Sequence, residues 1–282
     1  PRPANAVLGP ADRLGDMTPG RDPGGGSGAD STPEPAYPSP CPTPEILGDA
    51  VARERRTSGP ALRARPSGRT YSYRDFVTTS YKAGNVLRYL GVRPGDEVQV
   101  AAERVPETLL TFYGAAQLGA VTRFGTATGG DPPRVVVAPA AHETEIDLPP
   151  GHHLAVYGDP PDDPDVTHWE TEVWSENPAI HPVAVEGSDP LLAAGDRTYT
   201  HGEVLAAAGG ILSRVDLNPG TEVAVRGPLT DPAVVASGLV APILSGATIG
   251  LVGDEHSSTG DGSPVEVDGV DIDLDPFGTE RG

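Results

Sequence analysis

The sequence predicts an α/β domain made of two related halves with mostly parallel sheets. Three observations carry this. Two octets resemble each other, RTYSYRDF at 69–76 and RTYTHGEV at 197–204. Each opens a helical stretch that runs to a Pro-Gly turn, RPGDEV at 93–98 and NPGTEV at 218–223. Each turn then leads to a short β-type run, a second helix with proline in its first turn, and a closing β-type run. A strand–helix–strand crossover is right-handed and leaves its two strands parallel in one sheet.

Residues 1–43 are rich in Pro, Gly, Ser and Asp and read as a flexible arm; the chain's only Met, Met17, is a candidate translation start. The folded part spans 44–253, with halves at about 69–158 and 197–253, and opens on ILGDAVARERR, which suggests a short helix. Ser72 precedes Asp75 by three residues, and Thr200 precedes Glu203 likewise. Both are capping-box spacings, in which the hydroxyl accepts from the N3 amide and the carboxylate reaches back. Phe76, Ala83, Leu87 and Leu90 trace one helical face that ends at Gly91, and VQVAA follows as a strand. Pro106 starts a second helix that stops at Gly119 before the strand AVTRF. RVVVAP at 134–139 and HLAVYG at 153–158 read as further strands, and 159–190 as loop. In the second half a helix runs from about Gly202 to Val215, VAV is a strand, Asp231 and Pro232 form an N-cap and N1 pair, and a helix ends at Gly246 before ATIGLV. Residues 254–282 form an acidic tail in which VEVDGVDIDLD reads as a hairpin about Asp-Gly.

Asp and Glu number 40 against 20 Lys and Arg, for a formal net charge of −20, and Lys82 is the only lysine. This suits a halophilic, cytoplasmic protein whose carboxylates are screened by concentrated salt, where the Debye length falls to about 3 Å. It argues against nucleic-acid binding, which needs a basic face. Cys41 is the only cysteine, so no intrachain disulfide forms. Residues 232–253 carry no charge, but Gly238, Pro242, Gly246 and Gly250 interrupt them and no basic flank sets an orientation. They read as a buried helix and a buried strand, not as a membrane span.

The order RTYSYRDF, helix, LGVRPGDEVQVAA, PETLLTFYGAAQLGAVTRF resembles the start of the AMP-forming adenylating enzymes, which include acyl-CoA synthetases and peptide-synthetase adenylation domains. Thr70, Tyr71 and Phe76 approximate their first motif, and Gln117–Ala120 their Leu-x-x-Gly-Ala stretch. Thr200–His201 and Gly246–Thr248 match the segment that follows the family's phosphate loop. The resemblance covers 48–253 and implies the front part of that family's large domain.

It also exposes departures. The family's Gly- and Thr-rich loop wraps ATP phosphates in backbone amides and adds a lysine. Here the equivalent stretch is DPLLAAGDRTYTHGEV, several residues shorter, and Asp196 repels phosphate. The candidates left for nucleotide contact are Gly195, Arg197, Thr198, Thr200 and His201, with His201 expected to be exposed in a helical first turn. Asp231 stands where the family places a His or aromatic residue. The family's metal carboxylates and C-terminal catalytic lysine lie beyond the matched stretch, and Lys82 sits on the first helix. The resemblance therefore implies a truncated, degenerate ligase-like protein with no catalytic residues and no metal. No cofactor is expected, with ATP or AMP at most a weak ligand. Its role is to bind a ligand or a protein partner. The alternatives are one chain of a split acid–CoA ligase, whose partner supplies the absent parts, and a non-enzymatic interaction protein or decaying gene product.

Other constellations read as structural. GTATGGDPP (125–133) and SSTGDGSP (257–264) lack a lysine and a strand–helix context and read as surface loops. Asp271, Asp273 and Asp275 alternate as in a calcium loop, but Pro276 and Gly282 stand where such a loop needs Gly and Glu. His142, His152, His153, His168 and His181 have no zinc spacing.

Overall fold

The computed structural model describes residues 34–41, 43–125, 131–179, 181–253, 265–267, 270–271 and 277. The expected α/β class holds. In the first half β1 (Pro60–Ala64), β2 (Arg69–Ser72), α1 (Tyr73–Tyr89), β3 (Glu97–Val100), α2 (Pro106–Ala116) and β4 (Val121–Phe124) follow in order. Then come β5 (Val135–Pro139), β6 (His153–Tyr157), β7 (Thr167–His168) and α3 (Trp169–Ser175). The second half repeats the first with β8 (Pro190–Ala194), β9 (Arg197–Thr200), α4 (His201–Leu212) and β10 (Glu222–Val225). It continues with α5 (Pro232–Val234), a π-helical stretch (Val235–Val240), α6 (Ala241–Ser245) and β11 (Thr248–Leu251). The hairpin β12 (Val265–Val267) and β13 (Val270–Asp271) pairs Val267 with Val270, as the sequence indicates.

Several expectations are corrected. The first four residues of each octet add a strand ahead of the expected helix start. Each folds back antiparallel on a strand the sequence reading missed, β1 on β2 and β8 on β9. The runs PALRA and PLLAA are five residues long, too short for periodicity to separate strand from coil. Residues 159–190 are not all loop, because they hold β7 and α3. The stretch near Leu47 forms two short 3₁₀ turns, Leu47–Val51 and Arg53–Arg55, broken at Ala52, which is extended (ψ 148°). The packed part also begins before residue 44. The Cys41 N–H donates to the Leu244 carbonyl at 2.8 Å, and the Gly59 N–H to Ala36 at 2.5 Å. The loops at 126–130 and 254–264, and Asp273 and Asp275, lie outside the described residues.

The caps follow the sequence, with one difference. Thr200 Oγ1 accepts from the Glu203 N–H (3.2 Å) while Glu203 Oε2 accepts from the Thr200 N–H (2.9 Å), closing the box on α4. On α1, Ser72 Oγ accepts from the Asp75 N–H (3.1 Å) but donates to Asp75 Oδ2 (2.6 Å). The aspartate is one methylene shorter than glutamate and takes the hydroxyl instead of the backbone amide, so the first octet has an N-cap but no box. Asp231 Oδ1 accepts from the Ala233 N–H at 2.8 Å, the expected N-cap. The helical run from 232 changes winding because Pro242 has no N–H to give the preceding turn. It stops at Gly246, whose φ of 84° suits glycine.

The strands form two sheets, ordered β13-β12-β10-β11-β1-β2 and β7-β6-β5-β3-β4-β8-β9. The crossover strands are parallel neighbours as expected, β3 with β4 and β10 with β11. The hairpins, however, are exchanged between halves. β1 of the first half runs parallel to β11 of the second, Leu62 facing Ile249, and β8 runs parallel to β4, Leu192 facing Thr122. Neither sheet is complete without the other half's hairpin. Helix α2 and the helical run 235–245 are buried along their whole length, which their near-absence of charge allows. They touch through the Tyr113 hydroxyl, which donates to the Leu239 carbonyl at 3.0 Å. Among the described residues no helix is long and apolar enough to cross a membrane.

Candidate functional site

Parallel α/β sheets present ligands to the carboxyl ends of their strands. Here those ends converge from both sheets. A Cβ on Gly125, just past β4, would lie 3.0 Å from Thr230 Cγ2 in the loop after β10. Arg104, in the loop after β3, donates from Nε to the Val252 carbonyl beyond β11 at 3.0 Å. The two halves therefore meet at this edge.

A polar network lines the edge on the side of β6. Tyr157, the last residue of β6, donates its hydroxyl to Glu103 Oε2 at 2.9 Å; burial pushes this phenol well above its ordinary range, and the Glu103 charge adds to it. Glu107 sits in the first turn of α2 at 4% exposure and is bonded to the Arg69 guanidinium, which also reaches the Tyr71 hydroxyl. Glu170, at the start of α3, accepts from the Gly158 N–H at 2.8 Å, and Trp169 Nε1 donates to Thr111 Oγ1 on α2 at 2.9 Å. These groups are largely matched to each other, and the network positions the loops. Among the described residues no three His, Cys, Asp or Glu side chains are arranged to hold a metal. Nothing in the sequence pattern marks Arg69, Glu103 or Tyr157 as members of this network. The one available signal was Glu107, the only charge in an otherwise uncharged helix.

The nucleotide candidates lie on the β8–β9 hairpin. Ala194 pairs with Arg197, so Gly195 and Asp196 make a two-residue turn. Gly195 has φ 56° and is exposed, as are Asp196, Arg197 and Thr198. A turn this tight offers no concave set of amides to an anion. Arg197 is spoken for: its NH2 pairs with Glu203 at 2.9 Å, and its guanidinium lies 4.3 Å from the Tyr199 ring centroid. Thr200 is occupied as the N-cap. His201 is not exposed, which corrects the sequence reading. It is 0% exposed, and its Nδ1 accepts from the Leu47 N–H at 3.1 Å, tying α4 to the first 3₁₀ turn. Burial pulls its pKa down to about 4, against the opposing pull of Asp189 and Asp49. Lys82 donates to the Trp174 carbonyl at 3.0 Å on the outer side of α1.

Residues 49–124 match the AMP-binding enzyme family. No curated protein matches the sequence. Among solved structures, the anthranilate CoA ligase AuaEII in complex with anthranoyl-AMP is 19% identical with a TM-score of 0.63; the match covers 74% of this chain and 46% of that one. The N-terminal domain of FACL13 from Mycobacterium tuberculosis gives 19% identity and 0.60, covering 74% and 57%. The nonribosomal peptide synthetase FmoA3 gives 22% and 0.61, covering 76% and 23%. The fold is the mixed α/β one of the N-terminal large domain of adenylating enzymes, and the chain spans about half or less of most of these relatives.

Proposed function

We propose that this chain is an acyl-CoA synthetase-like, AMP-binding-type domain that does not adenylate a carboxylic acid by itself and serves instead to bind a ligand or a protein partner. The observation that carries this is the β8–β9 turn, where Gly195 and Asp196 alone bridge the strands. Adenylation builds negative charge on the α-phosphate and pyrophosphate, and catalysis there rests on positioned donors. A two-residue turn bearing a carboxylate supplies none, and the nearby Arg197 is neutralised by Glu203. The excess of carboxylates fits a protein that works in concentrated salt.

ATP–pyrophosphate exchange with the purified chain tests the reading across aliphatic, aromatic and amino acids, with a complete acyl-CoA ligase as positive control. Background exchange with every acid is the expected result. Exchange above background that responds to the acid supplied would end the proposal. A split ligase, whose partner chain brings the phosphate-gripping and metal-holding parts, is the second reading. It is favoured by two aromatic side chains left in solvent, Tyr89 at 84% and Trp174 at 86% exposure. It requires that a co-purifying protein restore exchange.

A further inference from the structure

Away from the strand ends, a cleft of about 240 Å³ opens between the 3₁₀ turns at 46–54, α1, the end of α2 and residues 181–185, lined among others by Ile46, Arg53, Tyr81, Gln117, His181 and Val183. Part of its polar lining is left unsatisfied. His181 is 7% exposed, and neither ring nitrogen has a hydrogen-bond partner. Gln117 is 9% exposed; its Nε2 donates to the Tyr113 carbonyl (3.0 Å) and to Ser80 Oγ (3.4 Å), but its Oε1 accepts nothing. Arg53 Nε is buried without a partner, although its NH2 is held by the Pro178 carbonyl. The Tyr81 ring stacks on His181, with centroids 5.6 Å apart and planes 10° apart, and the Arg53 guanidinium lies 5.4 Å from the Tyr81 centroid.

A buried polar atom without a partner forfeits its hydration with nothing in return, and folded proteins keep few of them. Here three side chains with such atoms share one cleft, two of them more than nine-tenths buried. They make a complementary set. Gln117 Oε1 needs a donor, and Arg53 Nε needs an acceptor. His181 is kept neutral by its burial, with Arg88 adding to the effect; its Nε2 edge packs on Gly84 of α1, so Nδ1 is the ring nitrogen left to a ligand, as donor or acceptor by tautomer. Asp49 and Glu54 line the same cleft as Arg53, so a ligand of either sign meets a like charge.

We propose that this cleft binds a small neutral carboxamide, whose N–H donates to Gln117 Oε1 and whose carbonyl accepts from Arg53 Nε or the His181 ring. Ile46 and Val183 suit a compact apolar carrier of that amide such as a single ring, and the volume is ample, since a cavity of ~150 Å³ already takes up benzene in an engineered core. The site is separate from the strand-end edge and independent of whether the chain turns over ATP.

Titration calorimetry and thermal shift with benzamide on the full chain test this, with benzoate and benzylamine as charged controls. Saturable one-to-one binding is expected, with a dissociation constant on the order of 1 mM. Both controls should bind more weakly. Gln117→Leu removes the acceptor at similar volume and should weaken benzamide about tenfold. Val183→Trp fills the cleft without touching its polar groups and should abolish binding while leaving far-UV circular dichroism unchanged. If Gln117→Leu does not fold, Val183→Trp alone decides. No saturable binding by the folded chain, full binding by Val183→Trp, or benzoate binding as tightly as benzamide would each overturn the proposal.

Discussion

Acidification from pH 7 to about pH 5 should destabilise this protein through two buried imidazoles. His201 and His181 are 0% and 7% exposed, and burial brings each pKa down to about 4. In the unfolded chain both return to about 6.5. A group whose folded pKa is depressed gives stability that is present above the unfolded value and is lost as the pH falls through the folded one. The loss therefore begins near pH 6.5 and levels off near pH 4. At pH 5 it amounts to about 2 kcal/mol for each histidine, so about 4 kcal/mol together, a large part of the ~5–15 kcal/mol that holds a typical domain folded. Two carboxylates, Glu203 and Glu222, act at lower pH, because their folded values lie below the ordinary carboxylate range. Glu203 is held below its ordinary range by the Thr200 N–H and Arg197, and in Glu222 the pairing with Arg65 and Arg63 outweighs the upward push of burial. His142 is exposed and is raised by its bond to Glu145, so it acts in the opposite sense. Urea unfolding followed by the fluorescence of the buried Trp169 measures the effect at constant ionic strength, with ring proton shifts read in parallel. Equal stability at the two pH values, or a midpoint above 6.5 for either ring in the folded protein, would refute the reasoning.

Helix packing gives a second test. A Cβ on Gly114 of α2 would lie 2.6 Å from the Gly84 nitrogen and 3.0 Å from the Ser80 carbonyl oxygen of α1, both backbone atoms that cannot turn aside. Gly114→Ala should therefore lower stability by about 2–3 kcal/mol despite its better helix propensity. Gly209→Ala and Gly210→Ala on α4 meet nothing within 4 Å and should raise it by about 0.5–1 kcal/mol each, all read by chemical denaturation. Arg55 supplies a third. At 8% exposure it donates to the carbonyls of Ala50 (2.9 Å), Ser39 (2.6 Å) and Ile243 (2.5 Å), fastening the N-terminal segment to the end of α6. Arg55→Leu should cost about 3 kcal/mol by leaving those carbonyls dry. Arg65→Ala, which breaks an exposed pair with Glu222, should cost less than about 1 kcal/mol.

The sequence by itself determined what depends on neighbours a few residues away. Thr200 with Glu203 and Asp231 with Pro232 placed two helix starts, because a cap needs only the hydroxyl or carboxylate and the next turn's amides. The Pro-Gly turns and apolar runs gave the strand–helix–strand order and so the parallel pairs, and the few residues at 195–197 already pointed to a tight turn. Only the tertiary structure decided which sheet each hairpin completes. Both PALRA and PLLAA fit either sheet equally well by pattern, and the choice rests on contacts between residues as far apart as Leu62 and Ile249. The same holds for His201. Its place in a helical first turn suggests solvent, yet the 3₁₀ turn at Leu47, distant in sequence, covers it and gives it a hydrogen bond. The Arg69, Glu103, Glu107 and Tyr157 contacts were equally hidden, because Glu107 is buried in α2 only once Arg69 of β2 arrives to match its charge, and Tyr157 meets Glu103 only in the folded chain.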